Sequence, residues 1–400
     1  MMKILVINCG SSSLKFQLIN SEDDSVMAKG LCERIGLDES RLVYTKAGCD
    51  KEITVSEMPD HNKAVSMVIQ ALMNEQSGVI DSLSDIDAVG HRIVHGGERF
   101  SKSVVIDDEV VRAIEECNDL APLHNPANLI GIKACKELMP DIKMVAVFDT
   151  AFHQTMPYKA YLYGLPYEYY EKYKIRRYGF HGTSHSFVSK RVAELLEKPY
   201  EELKTIVCHL GNGASICAVD KGRSVDTSMG LTPLEGLIMG TRSGSIDPAI
   251  IEFIADKENE SLKEVMNILN KKSGVDGLSG IGSDFRDIMS AMEEGNERAK
   301  MTMDTYCYQV VKYIGAYTAA MNGVDAIAFT AGLGENNSYI REQVCNYLAY
   351  LGVELDTGLN KNNGEELLVS TGQSKVKVLV VPTNEELKIA KETLELLACV

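Results

Sequence analysis

The pattern of apolar and polar positions opens with an unbroken apolar run, ILVIN, followed by the turn Cys9-Gly10-Ser11-Ser12-Ser13 and the alternating run LKFQL, all within residues 3–18. Such a succession predicts a strand, a tight loop and a second strand, with Lys15 just past the turn. The pattern recurs at 205–220 as TIVCHLGNGASICAVD, again an apolar run, a Gly/Asn/Ser turn and an apolar run. A polar tip of this kind suits an ordinary Ser-rich hairpin. It equally suits a phosphate loop, where glycine permits close backbone approach and N–H groups, hydroxyls and an ammonium converge on anionic oxygens. The repetition favours the phosphate loop.

Between the two hairpins the polar residues up to Pro59 read as further strands with exposed connections, and an apolar stripe from Ala64 to Leu72 predicts a helix over 61–76. A strand at 87–89 leads into HRIVHGGERF, and another at 143–149 ends in Asp149. Strand ends are where α/β proteins place ligands. Helical patterns cover 108–117 and 126–138; a tyrosine-rich irregular segment, 158–173, follows the first domain boundary near Thr150 and suits a cleft wall or a subunit contact. In the second half, helices are expected at 248–255, 262–270, from 284 and over 296–322, then a strand DAIAFT, a turn AGLGENN at 331–337, a strand KVLVVP and a final helix from Glu385 to Leu397. Thr383 and Glu386 have the spacing of a capping box for that last helix. Recurring strand–turn–strand units with intervening helices argue for two related α/β domains facing each other across a cleft.

The length of 400 residues suits two domains. A net charge of -16 disfavours nucleic acid or an anionic membrane as the main partner, so an anionic substrate must be met locally by a few arginines. The ten cysteines form no CxxC pair and read as reduced thiols. With no long apolar segment and no signal-peptide pattern, a cytoplasmic protein is expected. Gly-Lys occurs nowhere, so there is no Walker A loop, and no GxGxxG follows a strand.

Seven of the eight histidines fall between His91 and His209. The i, i+4 pairs His91/His95 and His181/His185 are weak metal signals without HExxH, and structural roles are expected for His61, His91 and His95. Arg92 and Arg242 each lie in a glycine-flanked turn, outside any stripe of charges. An anionic acceptor approaching a phosphate is repelled by about 4 kcal/mol per charge pair at ~4 Å in an effective dielectric of ~20, and arginine forks offset this. Asp149, at a strand end beside a Thr/His loop, suits Mg2+ held largely through waters. Glu385, in a first helical turn, already has a role in the helix dipole.

Taken together, NCGSSSLK, HRIVHGG, DTAFHQTMP, YGFHGTSH, HLGNGAS and GTRSGSIDP, continued by GSDFRD, AGLGEN and PTNEE, resemble the motif set of the acetate kinase family over nearly the whole chain. That family belongs with the sugar kinases, heat-shock chaperones and actin. The resemblance implies two duplicated ribonuclease-H-like (actin-like ATPase) domains with an interdomain cleft: residues 1–149 plus 385–400, and residues 150–384, the latter carrying most nucleotide contacts. It implies that Asn8, Ser11, Ser13 and Lys15 form the first phosphate loop and that His209, Leu210, Gly211, Asn212 and Gly213 form the second. Asp284, Phe285, Arg286, Gly332, Glu335, Asn336 and Ile340 match the adenosine contacts. Arg92 and Arg242 match the arginines on the acyl carboxylate and transferring phosphoryl, and His181 and Asn212 the groups that stabilise the transition state. Asn8, Asp149 and Glu385 match the magnesium site, and Val94, Leu123, Phe180 and Pro233 the apolar wall around the acetate methyl. Many members have Asp where this chain has Ser245.

The implied activity is reversible transfer of the ATP γ-phosphoryl group to acetate, giving ADP and acetyl phosphate, with Mg2+ or Mn2+, in a cytoplasmic homodimer. An acetate carboxylate is already ionised at pH 7, so direct in-line attack needs no general base. The alternatives are the same chemistry on propionate or butyrate and, in a different class, a nucleotide-gated binding module of the actin or chaperone type. Arg92, Arg242 and the apolar wall speak against the module.

Overall fold

The computed structural model describes residues 2–398. They part into two compact units, one running to Gln154 and resuming at Asn384, the other Thr155–Thr383. No helix among the described residues is long and apolar enough to cross a membrane.

The first unit is built on an eight-stranded sheet. Its strands are β1 (Lys3–Cys9), β2 (Ser13–Asn20), β3 (Val26–Glu33), β4 (Arg41–Lys46), β5 (Glu52–Val55), β6 (Ala88–Ile93), β7 (Val104–Val105) and β8 (Lys143–Phe148), in the order β5-β4-β3-β2-β1-β6-β8-β7. Strands β1, β6 and β8 are parallel, and the other pairings are antiparallel. Strand β1 is apolar without alternation because helices cover both of its faces. Leu5, Ile7 and Cys9 enter a core with Ala64, Val65 and Val68 of the helix His61–Leu72 and with Leu129 and Ile132 of the helix Asn125–Leu138. Ile4 and Val6 join Val145 and Val147 against Ile389 and Ala390 of the helix Glu385–Ala398. Each such aliphatic side chain contributes about 1.5–3 kcal/mol by leaving water. With both faces apolar, register depends on the turn: Gly10 N–H donates to Ser13 O at 2.8 Å, which sets Asn8 opposite Lys15.

The second unit repeats this plan. Strands β9 (Lys204–Leu210), β10 (Ala214–Asp220), β11 (Arg223–Thr227), β12 (Ala326–Thr330), β13 (Leu367–Leu368) and β14 (Lys377–Val380) lie in the order β11-β10-β9-β12-β14-β13. The hairpin β9–β10 corresponds to β1–β2, the parallel strands β12 and β14 to β6 and β8, and the antiparallel edge β13 to β7. The fold is therefore α/β, with the second sheet repeating the plan of the first.

Five local expectations are corrected. Arg92 lies not in a turn but within β6, where it pairs with Val147 across the parallel ladder, and the tyrosine-rich segment is not irregular throughout, since it forms the short helices Tyr158–Tyr161 and Tyr167–Tyr173. The helix from His61 ends at Leu72, short of residue 76, because Asn74 Oδ1 accepts the N–H groups of Gln76 and Ser77 at 2.9 and 3.1 Å and turns the chain. The glycine-rich run after β12 is a short helix, Ala331–Asn336. The fully buried Arg341 donates to the carbonyls of Gly334 and Glu335 at its C-terminal end, at 2.9 and 2.8 Å, which gives groups that would be orphaned a cationic partner. The capping box of the last helix does not form. Asn384 Oδ1 accepts from Leu387 N–H at 3.0 Å, while the Thr383 hydroxyl meets Ser184 Oγ at 2.7 Å and Glu386 pairs with Lys15.

His91, on β6, is only 2% exposed, and burial pushes its pKa down to about 3. In the unfolded chain it titrates near ~6.5, so between those values the unfolded chain holds a proton that the native one refuses. Stability attributable to this residue is complete above pH ~6.5 and falls as pH falls, by at most about 1.4 kcal/mol per unit. Urea midpoints at pH 7.5 and 5.5 are expected to show the loss, and His91→Leu to reduce it; an equal loss in both proteins would contradict the assignment.

Candidate active site

In the first unit, four polar groups gather where β1, β6 and β8 end. Arg92, on β6, pairs with Asp149 directly after β8, reaches Asn8 Oδ1 on β1 at 3.4 Å, and has Glu385 at 3.8 Å from its Nε. Asp149 is 1% exposed, and its N–H donates to Ile93 O at 2.9 Å, so the sheet itself aims the carboxylate. Burial opposes the charge on Arg92, but Asp149 and then Glu385 more than restore it and hold the guanidinium above its ordinary pKa. Burial pushes Glu385 up to about 7 against the pull of Arg92, with Asp149 and Glu386 adding to the rise. Ser11 and Ser13 sit at the hairpin tip, exposed and half-buried. His61 Nε2 lies 2.8 Å from Gly10 O and anchors that tip.

Among the expected wall residues of this unit, Val94 is buried, but Leu123 is 73% exposed on its loop. Pattern reading missed the two buried asparagines behind Val94. Asn128 accepts from Val94 N–H at 3.0 Å and donates to Cys9 O at 2.7 Å; Asn125 accepts from His95 N–H at 3.1 Å and returns a bond to His95 O at 2.9 Å. They latch the HRIVHG segment to the helix Asn125–Leu138. Their only signal is an amide on an otherwise apolar helical face.

In the second unit the hairpin β9–β10 brings His209, Asn212 and Gly213 beside His181 and Arg242. His181 occupies the left-handed region (φ 58°) at the start of the helix Gly182–Leu195, and its ring stacks on His209 with centroids 4.2 Å apart. Its Nδ1 lies 2.9 Å from Ser215 Oγ, which also meets His185 Nε2 at 2.7 Å, and His209 Nδ1 lies 2.8 Å from Ser184 Oγ. A Cβ on Gly213 would stand 3.7 Å from both Arg242 Nη2 and the His181 ring, and one on Gly240 would overlap the Asn212 side chain. The first is ordinary van der Waals contact, whereas the overlap at Gly240 requires glycine for the Asn212 side chain to take its place.

Arg242 is held by the Pro233 carbonyl at 2.8 Å and touches Met239 Sδ at 3.5 Å. Among the described residues no carboxylate pairs with it, and burial draws its pKa down. Phe180 is buried and Pro233 half-buried, while the Ser245 hydroxyl accepts from Gly236 N–H at 3.1 Å.

Next to Asn212 opens a cavity of about 620 Å³, lined by Gly211 and Asn212, by Ser283–Arg286, and by Gly332, Leu333, Asn336 and Asn337. That is ample for a nucleoside. Asp284 accepts from Arg286 N–H at 2.9 Å and pairs with its guanidinium, which together hold the carboxylate at about pKa 2; the Arg286 side chain is otherwise 90% exposed. Not every expected nucleotide residue faces this space. The Leu210 and Ile340 side chains are fully buried, and Glu335 accepts from Thr383 N–H at 3.1 Å. Ser283, Leu333 and Asn337 also line the cavity; they lie within the glycine-containing runs GSDFRD and AGLGENN, between the residues expected to meet adenosine or directly beside them.

No group of three His, Cys, Asp or Glu side chains among the described residues is arranged to enclose a metal ion. The nine described cysteines are free thiols, eight of them buried.

The acetokinase family model matches residues 3–391. An acetate kinase of Agathobacter rectalis is 66% identical over 99% of this chain and all of its own length. The crystal structure of the Porphyromonas gingivalis acetate kinase superposes with a TM-score of 0.97 at 48% identity, covering 99% of this chain and 100% of that one. That of a propionate kinase from Francisella tularensis gives 0.92 at 43% identity, with the same coverage. A match of this extent, on a chain whose two sheets repeat one strand order and whose glycine-rich turns carry the arginines and histidines described above, has one meaning: the chain belongs to the acetokinase family.

Proposed function

We propose that this protein transfers the γ-phosphoryl group of ATP to acetate, reversibly, by direct in-line displacement, as a cytoplasmic homodimer. The observation that carries the reading is Arg242: a part-buried guanidinium held by a neutral carbonyl, beside His181 and Gly213 on the hairpin whose Asn212 lines a nucleoside-sized cavity. An unpaired buried cation in that position suits an anion that comes and goes. An acetate oxygen forms the new bond to the γ-phosphorus, the bond to the β,γ-bridging oxygen breaks, and ADP leaves with the electron pair. No proton moves, so Arg92, Arg242, His181 and Asn212 act by positioning and by meeting charge on the transferring group. Phe180 and Pro233 of the second unit would supply apolar contacts to the methyl.

Asn8, Asp149 and Glu385 supply hard oxygen donors around Arg92, too few for a closed cage. That set fits magnesium, or manganese, keeping most of its shell as water and phosphate oxygen, and these residues would hold it. Bound there, the ion would screen the phosphate charge.

Trapping acetyl phosphate as the hydroxamate in the presence of ATP and acetate tests the activity; ATP turnover without hydroxamate would favour a nucleotide-gated module. A second reading, propionate as the acceptor, is favoured by the likeness to the Francisella enzyme. A methylene is worth only about 1–3 kcal/mol in such a pocket, so kcat/KM for acetate, propionate and butyrate is expected to differ by about 10- to 200-fold at most per carbon, with acetate preferred.

Arg242→Ala is expected to lower turnover about 100- to 1000-fold at saturating acetate; near-normal turnover would refute its role. With its pKa raised to about 7, Glu385 holds a proton below that pH that a divalent cation must displace. Magnesium affinity is expected to fall as pH drops from 8 to 6, with proton release on binding read by calorimetry in two buffers. Affinity independent of pH would remove Glu385 from the site.

A further inference from the structure

Segment 227–235 carries Pro233, the residue that holds Arg242, and a single arginine ties both of its ends. Arg177 Nη1 donates to three successive carbonyls, Thr227, Ser228 and Met229, at 3.0, 3.0 and 3.1 Å. Its Nη2 donates to Glu235 Oε1 at 2.5 Å. The other oxygen of Glu235 accepts from the Tyr163 hydroxyl, which in turn accepts from Leu231 N–H at 3.0 Å. A methyl on Gly230 would overlap both Glu235 and Tyr163, so the loop closes onto the pair without a gap. Gly230 O accepts from Tyr178 and Gly179 N–H at 3.1 and 3.2 Å, which secures the loop to the chain just before Phe180 and His181.

We propose that Arg177, Glu235 and Tyr163 form a clasp that positions Arg242 for phosphoryl transfer through the Pro233 carbonyl. The proposal rests on the reading of Arg242 given above, and none of the three touches a reacting atom. Three carbonyl dipoles converging on one point repel each other unless a cation sits there. Arg177 is that cation. Glu235 balances its charge. The same pairing commits the carboxylate, so Glu235 is not drawn into an ion pair with Arg242. Both partners are largely withdrawn from solvent, at 17% and 30% side-chain exposure, unlike the exposed pairs that contribute little. Tyr163 comes from the tyrosine-rich stretch before the helix Gly182–Leu195, which finds here a task that its composition does not announce.

Steady-state kinetics of hydroxamate formation on the full chain test this. Wild-type protein that forms no hydroxamate would overturn the reading of the site, and the clasp with it; the clasp alone is tested by variants relative to active wild type. Glu235→Ala is expected to lower kcat about tenfold to a hundredfold and to raise the KM for acetate, leaving the KM for MgATP within about twofold, because other residues line the nucleoside cavity. Glu235→Gln keeps an acceptor for Arg177 and is expected to recover most of the loss. In an Arg242→Ala background the same Glu235→Ala change is expected to cost less than about twofold, since the group it positions is gone. Losses that multiply, or folded Glu235→Ala protein with wild-type kcat and acetate KM, would overturn the proposal. Should Glu235→Ala fail to fold, Tyr163→Phe removes one hydroxyl and is expected to give the same split at about three- to tenfold; unchanged kinetics in that variant would equally overturn it.

Discussion

An arginine receives an anion most readily when it is not already holding one. A carboxylate at ~4 Å is worth about 4 kcal/mol in an effective dielectric of ~20, and an incoming phosphate or acetate would first have to displace it. Arg242 meets this constraint by resting on a peptide carbonyl, an acceptor strong enough to orient a guanidinium and too weak to neutralise it. Much of the second unit follows. The loop bearing Pro233 must be rigid, Gly240 must be bare so that the Asn212 side chain can take its place, and the nearby acid, Glu235, must be occupied elsewhere.

Arg92 is the opposite case. Asp149 and Glu385 outnumber it, so above about pH 7, where Glu385 is ionised, the end of the first sheet carries an excess of negative charge in which the arginine also keeps two carboxylates together. Such a set attracts a cation. The duplicated sheets thus present complementary chemistry from equivalent topology, an acidic cluster at the ends of β1, β6 and β8 and a basic, histidine-lined one at the hairpin β9–β10. Nothing in the shared strand order requires this division; it lies in a few residues on the turns and strand ends.

The sheets were largely legible because a buried central strand leaves an apolar run that no surface element shares, and the repeat of run, glycine turn and run exposed the duplication. The same glycines misled at 331–337, where a helix forms because Arg341, distant in pattern, satisfies its carbonyls. Thr383 and Glu386 have capping-box spacing, but spacing ignores competition: each has a better partner in Ser184 or Lys15, and Asn384 takes the cap. Candidate phosphate groups could be picked from local chemistry. The adenosine-side residues came only from family likeness, since Asp284 to Arg286 read by themselves as an ordinary helix start. The clasp was invisible, because Arg177 and Glu235 stand 58 positions apart and each looks like a surface charge.

The discontinuity of the first unit has a bearing on how the protein comes into being at the ribosome. Residues Thr155–Thr383 are contiguous and can complete their own core as soon as they emerge, whereas the first sheet, although its strands are made earlier, keeps Ile4, Val6, Val145 and Val147 bare until the helix Glu385–Ala398 arrives. For the time needed to synthesise the intervening stretch, the nascent chain carries an open apolar sheet face, the kind of surface that chaperones bind and that drives association between chains. The helix that covers this face also delivers Glu385. Completion of the fold and completion of the acidic cluster are therefore one event, and a half-built chain has neither.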